Sequence, residues 1–248
     1  MNEVIKINNL KKIYYTLKEE ITAVEDFTYT INEGDFIAIV GPSGCGKSTI
    51  LSILSGLDNK TSGSIEIKNN KKIGYMLQQD ALFDWRTVLN NCLIGLEIKN
   101  IKTTENINYV KDLLETYGLK EFINSYPTSL SGGMRQRVAL IRTLATKPEI
   151  LLLDEPYSAL DYQTRLVVSN DVYNILKKEN KTTIMVTHDI GEAIALADKI
   201  IVLSKRPAVI KKIFNIKYEK DLSPIQRRQE PEFTTYYNLI WKEIDQNV

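Results

Sequence analysis

The chain has 248 residues, 43% hydrophobic and 25% charged, enough apolar material for one large α/β domain or two small ones. Lysine plus arginine total 32 against 31 acids, a net charge of +1, which lacks the basic footprint of a nucleic-acid binder. Two cysteines, Cys45 and Cys92, exclude a disulfide framework and fit a reducing compartment, while the polar start and the lack of any apolar run of roughly 20 residues leave no signal peptide or membrane span to expect.

In chain order, a strand is expected over 34–40, where the apolar run Phe36-Ile37-Ala38-Ile39-Val40 reads as a buried parallel strand. It leads into Gly41-Pro42-Ser43-Gly44-Cys45-Gly46-Lys47-Ser48-Thr49, a complete G-x-x-x-x-G-K-[ST] phosphate loop. Glycines let successive backbone N–H groups converge on phosphate oxygens, Lys47 adds a cation, and Ser48 offers its hydroxyl to magnesium. A helix starting near Lys47 points its positive end at the same anion. The expected context is strand, loop, helix.

Further strands are expected at 64–68, 72–77, 149–153, 182–187 and 199–204, with a turn over 68–72. Strands stop between 88 and 147, where the patterns at 106–117 and 134–145 are helical, so a helical subdomain is inserted into the sheet domain. Ile150-Leu151-Leu152-Leu153-Asp154-Glu155-Pro156 is an apolar strand ending in two acids at the sheet's carboxyl edge, where ligands bind in such folds. Asp154 is expected to hold magnesium and Glu155 to polarise water as a general base. Leu130-Ser131-Gly132-Gly133-Met134-Arg135-Gln136 opens a helix with Ser131 as its cap. The Gly-Gly pair followed by Gln136 suggests a second anion site at that helix end. Beyond residue 222 the composition changes. Phe233, Tyr236, Tyr237, Ile240, Trp241 and Ile244 recur at helical spacing, one apolar face of a tail over 223–248 that docks on the chain's own core or on a partner.

These residues, in this order, resemble the nucleotide-binding subunits of ABC transporters over nearly the whole chain, with the Walker A, signature and Walker B motifs present. The resemblance implies an α/β P-loop NTPase core, RecA-like, with an ABC-type antiparallel β subdomain and an inserted helical subdomain, all within 1–222. It matches Ser158-Ala159-Leu160-Asp161 to the D-loop and His188, the only histidine, to a switch histidine on the γ-phosphate. Gln78 is similar to the Q-loop glutamine that reaches magnesium and the attacking water, with Gln79 as its neighbouring rival. Tyr14, beside Tyr15, falls where the family stacks an aromatic ring on adenine. The resemblance implies ATP and Mg2+ as cofactors and a homodimer that sandwiches ATP between one copy's phosphate loop and the other's Ser131, Gly132, Gly133, Gln136 and Asp161.

It also implies membrane permease partners, an external solute-binding protein, no nucleic acid, and a peripheral place on the cytoplasmic face of the membrane. A docking patch for the permease is expected at Leu82, Phe83, Trp85 and Val88. Gln78 to Trp85 and Leu203 to Pro207 look most like the nitrate, sulfonate and taurine import branch, some relatives of which handle thiamine pyrimidine precursors. Asp84, Ile141 and Thr143 depart from that branch's usual residues. A soluble ABC protein or an exporter subunit are the competing readings. The former usually carries tandem ATPase halves or a long coiled-coil insertion, neither of which is visible, and the solute-import resemblance argues against the latter.

Overall fold

The computed structural model describes residues 2–158 and 160–245. Among these, nine strands form one sheet: β1 (Glu3–Tyr15), β2 (Glu20–Asn32), β3 (Phe36–Val40), β4 (Ser62–Ile67), β5 (Ile73–Met76), β6 (Ile150–Asp154), β7 (Thr182–Val186), β8 (Lys199–Leu203) and β9 (Ala208–Asn215). Eight α-helices accompany them: α1 (Lys47–Leu54), α2 (Val88–Ile98), α3 (Thr104–Thr116), α4 (Gly132–Leu144), α5 (Tyr162–Lys178), α6 (Ile190–Leu196), α7 (Pro224–Arg227) and α8 (Pro231–Asp245).

The sheet order is β4-β1-β2-β9-β8-β3-β7-β6-β5. The stretch from β8 to β5 is parallel, whereas β1 pairs antiparallel with both β2 and β4. Strands of the parallel stretch are buried on both faces, which is why they read as unbroken apolar runs. Their side chains still alternate between two cores. Ile37, Ile39, Ile150 and Leu152 join the cluster under α1, β1 and β2. Phe36, Ala38, Val40, Leu151 and Leu153 face the cluster built with α2 to α6 and α8.

Between β5 and β6 the chain runs through α2, α3 and α4. Residues 68–70 form a single tight turn with Asn69 and Asn70 at φ 58° and 49°, where a short polar side chain tolerates the left-handed region. Strands β1, β2 and β9 went unread in the sequence. Asn9 sits at φ 45°, and the register against β2 slips between Ile7 and Leu10. That bulge breaks the period-two alternation by which a strand is recognised.

The tail folds back onto the molecule. Arg227 of α7 is buried and donates to the carbonyls of Ala195 (3.2 Å) and Ala197 (3.5 Å) and to the Tyr173 hydroxyl (2.9 Å). In α8, Ile240 is fully buried, and Phe233, Tyr236 and Ile244 pack against the same cluster. The expected apolar face is therefore narrower than its sequence suggested. Tyr237 and Trp241 point outward, 37% and 52% exposed, and stack on each other at 6.3 Å. Each lies one residue past a core-facing position, partly buried Tyr236 and buried Ile240, about 100° around the helix. Residues 246–248 of the expected tail lie outside the described residues. Ile240→Ala is expected to lower stability by about 2–5 kcal/mol through lost burial and the cavity left behind, whereas Trp241→Ala costs under about 1 kcal/mol. Paired thermal melts test this, and equal losses would mean that α8 is not anchored through Ile240.

Candidate active site

Parallel strands deliver the expected site residues to one edge. The loop 41–46 leaves the carboxyl end of β3, Asp154 ends β6 with Glu155 next to it, His188 follows β7, and Gln78 follows β5. Registry aligns these ends, since Met76 pairs with Leu153 and Asp154 with Val186. Gly44 (φ 70°) and Gly46 (φ 122°) supply the left-handed backbone of the loop. A side chain at Gly46 would also meet the Ala23 carbonyl of β2 at 2.8 Å. Lys47 is 7% exposed, and its ammonium donates to the carbonyls of Gly41 and Pro42, both at 2.9 Å. Cys45 belongs to the loop by its backbone alone, because its side chain is buried in the core and burial pushes its thiol up.

Asp154 is 5% exposed. Ser48 Oγ donates to its Oδ1 (3.0 Å) and Tyr75 OH to its Oδ2 (3.2 Å). Burial raises its carboxyl above the ordinary value, and Glu155 adds to this, against the two hydrogen bonds and the Lys47 charge. A buried acid held reluctant to ionise gains from a cation. Ser48 and Asp154 are hard oxygen donors, and among the described residues no larger cluster of acids, histidine or cysteine could hold a metal. That donor set fits magnesium, which takes one or two protein oxygens together with substrate phosphates and water.

Glu155 has φ 45°, a conformation disfavoured for a residue with a Cβ and typical of strain stored at functional sites. Its N–H donates to the Val186 carbonyl (2.9 Å), and its own carbonyl accepts from the Ser158 N–H and hydroxyl (3.2 and 3.0 Å). The turn aims the carboxylate at two partners. Gln78 Nε2 donates to Oε2 at 3.0 Å, and His188 Nδ1 lies 3.2 Å from the same oxygen.

Gln78 and Glu155 line an open cleft of roughly 370 Å³ with Tyr14, Arg206 and all of the loop from Ser43 to Thr49 except Cys45. Of the two adjacent tyrosines it is Tyr14 that forms a wall, its hydroxyl donating to Asp58 (2.8 Å) and its ring facing the Lys12 ammonium at 4.6 Å. Arg206 was not foreseen. The signal was topological: it follows β8, the neighbour of β3, and so reaches the same carboxyl edge.

Ser131 caps α4, its Oγ accepting from the Met134 N–H (3.3 Å), with Gly132 exposed beside it. Gly133 has a packing reason, because a Cβ there would meet Thr164 Cγ2 at 2.8 Å. None of the three lines the cleft of their own chain. Gln136 lies deeper than the helix end. It is 4% exposed and lines a small pocket with Leu140, Leu153 and Tyr157, behind the exposed end of the helix. Gly133, Gln136, Leu140 and Leu144 form one buried stripe, a spacing that marked the residue as inward-facing. Asp161 is exposed and caps α5, accepting from the Thr164 N–H (3.0 Å), and hydrogen bonding to the Thr164 side chain, then to this N–H, holds its carboxyl below the ordinary value. Ala159 of the same motif lies outside the described residues.

The expected docking patch is corrected. Leu82 and Val88 are buried in the core, while Phe83 (38% exposed) and Trp85 (75%) stand outside, rings 4.9 Å apart. Asn91, fully buried, fixes this loop: its Oδ1 accepts from the Phe83 N–H (2.8 Å), and its Nδ2 donates to the carbonyls of Phe83, Arg86 and Thr87 (3.1, 3.0 and 3.1 Å).

A phosphate loop, a strand-end acid pair and a histidine along one edge of a parallel sheet define a P-loop nucleoside triphosphatase. The family model described as ABC transporter matches residues 24–158. Over 248 residues the chain is 47% identical to an uncharacterized ABC transporter ATP-binding protein of Bacillus subtilis, covering 97% of this chain and 95% of that one. It is 39% identical to an aliphatic sulfonates import ATP-binding protein of Bacillus anthracis, with 88% of each covered. It is 35% identical to a nitrate import ATP-binding protein of Synechocystis, covering 95% and 93%. Among solved structures it is similar to a dimeric ATP-binding cassette in a post-hydrolysis state bound to ADP and Pi, with TM-score 0.76 and 32% identity over 86% of this chain and 99% of that one. The chain belongs to the ABC transporter family of ATP-binding, ATP-hydrolysing subunits, and within it to the branch of the sulfonate, nitrate and taurine import proteins. No helix among the described residues is long and apolar enough to cross a membrane.

Proposed function

We propose that this chain energises an importer of a small anionic or organic solute of the nitrate, sulfonate or taurine kind. Two copies work on the cytoplasmic face of the membrane, gripping permease subunits supplied by an external solute-binding protein. The observation that carries the reading is the meeting of Gln78 and His188 on the Glu155 carboxylate beside the phosphate loop, the arrangement of a carboxylate base with two groups that orient water and the γ-phosphate. The names of the sulfonate and nitrate relatives support the direction and the solute class.

In this mechanism Tyr14 stacks on adenine, while the N–H groups of residues 43–49 and Lys47 cradle the phosphates. Ser48 and Asp154, with Gln78 nearby, would hold magnesium, which would supply positive charge against the negative charge that develops on the phosphate oxygens. Glu155 takes the proton of the attacking water. Ser131, Gly132 and Gly133 of a second copy present a helix end to the γ-phosphate from the opposite side, preorganised positive density that needs no mobile side chain. Asp161 stands beside the same junction as the cap of α5.

The test is uptake by vesicles carrying the permease and this subunit with ATP inside. Solute-loaded binding protein added outside should stimulate hydrolysis, with nitrate, taurine, an alkanesulfonate and an aminopyrimidine as the solute panel. No stimulation by any of them would remove the import reading, and stimulation by the aminopyrimidine alone would move the solute class. The permease is expected to seat on Phe83 and Trp85. Trp85→Ala should weaken its binding about 30-fold, a loss of roughly 2 kcal/mol typical of a central aromatic anchor, while the isolated subunit keeps its melting temperature. Unchanged affinity in a pull-down titration would eliminate this docking surface.

A further inference from the structure

Gln78 and Trp85 mark the two ends of one segment, and the structure ties the middle of that segment to α4. Asp80 receives a two-pronged bond from Arg135, Nε to Oδ2 at 2.7 Å and Nη2 to Oδ1 at 3.0 Å. Arg142, two turns further along α4 and so on the same face, donates Nη2 to the Asp80 carbonyl (2.6 Å) and Nη1 to the Ala81 carbonyl (2.7 Å). Ala81 sits at φ 44°, and the Leu82 N–H donates to Asp80 Oδ1 (3.2 Å), so the segment turns sharply at the point where it is held. The Asp80 and Arg135 side chains are only 20% and 27% exposed. Burial pushes the Asp80 carboxyl up, but the Arg135 bonds, the Leu82 N–H and the arginine charges outweigh it and leave the acid below its ordinary value. Fork-to-carboxylate pairing resists both stretching and rotation, unlike a lysine contact.

The placement of Arg135 gives this bond a purpose beyond bracing a loop. It lies in the first turns of α4, and its N–H donates to the carbonyl of the cap Ser131 (2.9 Å). We infer that the Asp80–Arg135 pair is a mechanical tie that makes the Gln78–Trp85 segment and the Ser131 end of α4 move as one body. The state of the nucleotide, met by Gln78, and the load of a permease on Phe83 and Trp85 then both set where one copy holds its helix end against the nucleotide of the other. Asp80 and Arg135 are positioning residues. Neither lines the cleft. The inference rests on the two-copy site proposed above.

The test uses the full chain in a Glu155→Gln background, with ATP-driven dimerisation read by analytical ultracentrifugation, monomer affinity by a fluorescent ATP analogue, and folding by melting temperature. Asp80→Asn keeps the shape but loses the charge, and Arg135→Lys keeps the charge but loses the fork. Each single variant should weaken dimerisation about tenfold, with analogue affinity within about twofold of the parent and an unchanged melt. The double variant should be no worse than either single, the signature of one shared interaction. Dimerisation equal to the parent in both singles overturns the tie. Loss of analogue affinity together with the melt also overturns it, because the pair is then only a brace. Failure of the parent itself to dimerise sinks the two-copy site and the tie with it, and it is read on the parent alone.

Discussion

Glu155→Gln is expected to bind ATP with near-normal affinity, to lose turnover by about 10²–10⁴-fold, and to accumulate as an ATP-bound dimer. The fold reduction is the usual worth of a positioned general base. Under the proposed mechanism the affinity is spared, because the carboxylate would act on water in the transition state, whereas ground-state binding would come from the loop, Lys47 and Tyr14. Geometry sharpens the expectation. The amide of glutamine keeps an oxygen that accepts from Gln78, so the bond now at 3.0 Å persists and the strained turn at φ 45° is not released. Single-turnover assays separate the steps. A variant that hydrolyses ATP within about tenfold of the native rate removes Glu155 from the base role.

How much of this site was legible in the sequence depended on how locally each residue's task is defined. The phosphate loop needs glycines, a lysine and a hydroxyl in fixed order, because the backbone itself is the ligand-binding group, so its residues could be read directly. Asp154 and Glu155 were legible because an apolar strand must end at the sheet edge, and the acids at its carboxyl end are thereby delivered to the site. Helical phase was harder. Gln136 was read as part of a ligand-binding motif, yet its spacing places it in the stripe with Gly133, Leu140 and Leu144, the face that α4 packs against α2, β5 and α5. Leu82 and Val88 differ from Phe83 and Trp85 for the same reason. All four are large and apolar, and the loop's path, fixed by buried Asn91, turns two of them in and leaves two out. The Asp80–Arg135 pair was invisible because two residues far apart in sequence meet only after the inserted helices have packed.

Mixing two inactive variants gives the second large effect. Lys47→Ala removes the cation that the loop keeps buried and should abolish ATP binding by its own copy, with affinity down at least about 100-fold when charge-assisted bonds to phosphate are lost. Ser131→Arg acts elsewhere. It gives up the cap bond to the Met134 N–H at a cost of about 1 kcal/mol, and should leave ATP binding by the monomer intact while blocking closure with a bulky side chain at the helix end. In a head-to-tail pair of one Lys47→Ala copy and one Ser131→Arg copy, both defects fall on the same composite site. The other site then joins an intact phosphate loop to an intact Ser131. Random mixing makes about half of the pairs heterodimers with one good site in two, so activity should return to about a quarter of the native level if the sites act independently. Zero recovery, with both variants folded and the Ser131→Arg monomer binding ATP, would show that the two sites fire only together. Loss of ATP binding in the Ser131→Arg monomer would place Ser131 on its own copy's nucleotide and end the two-copy arrangement.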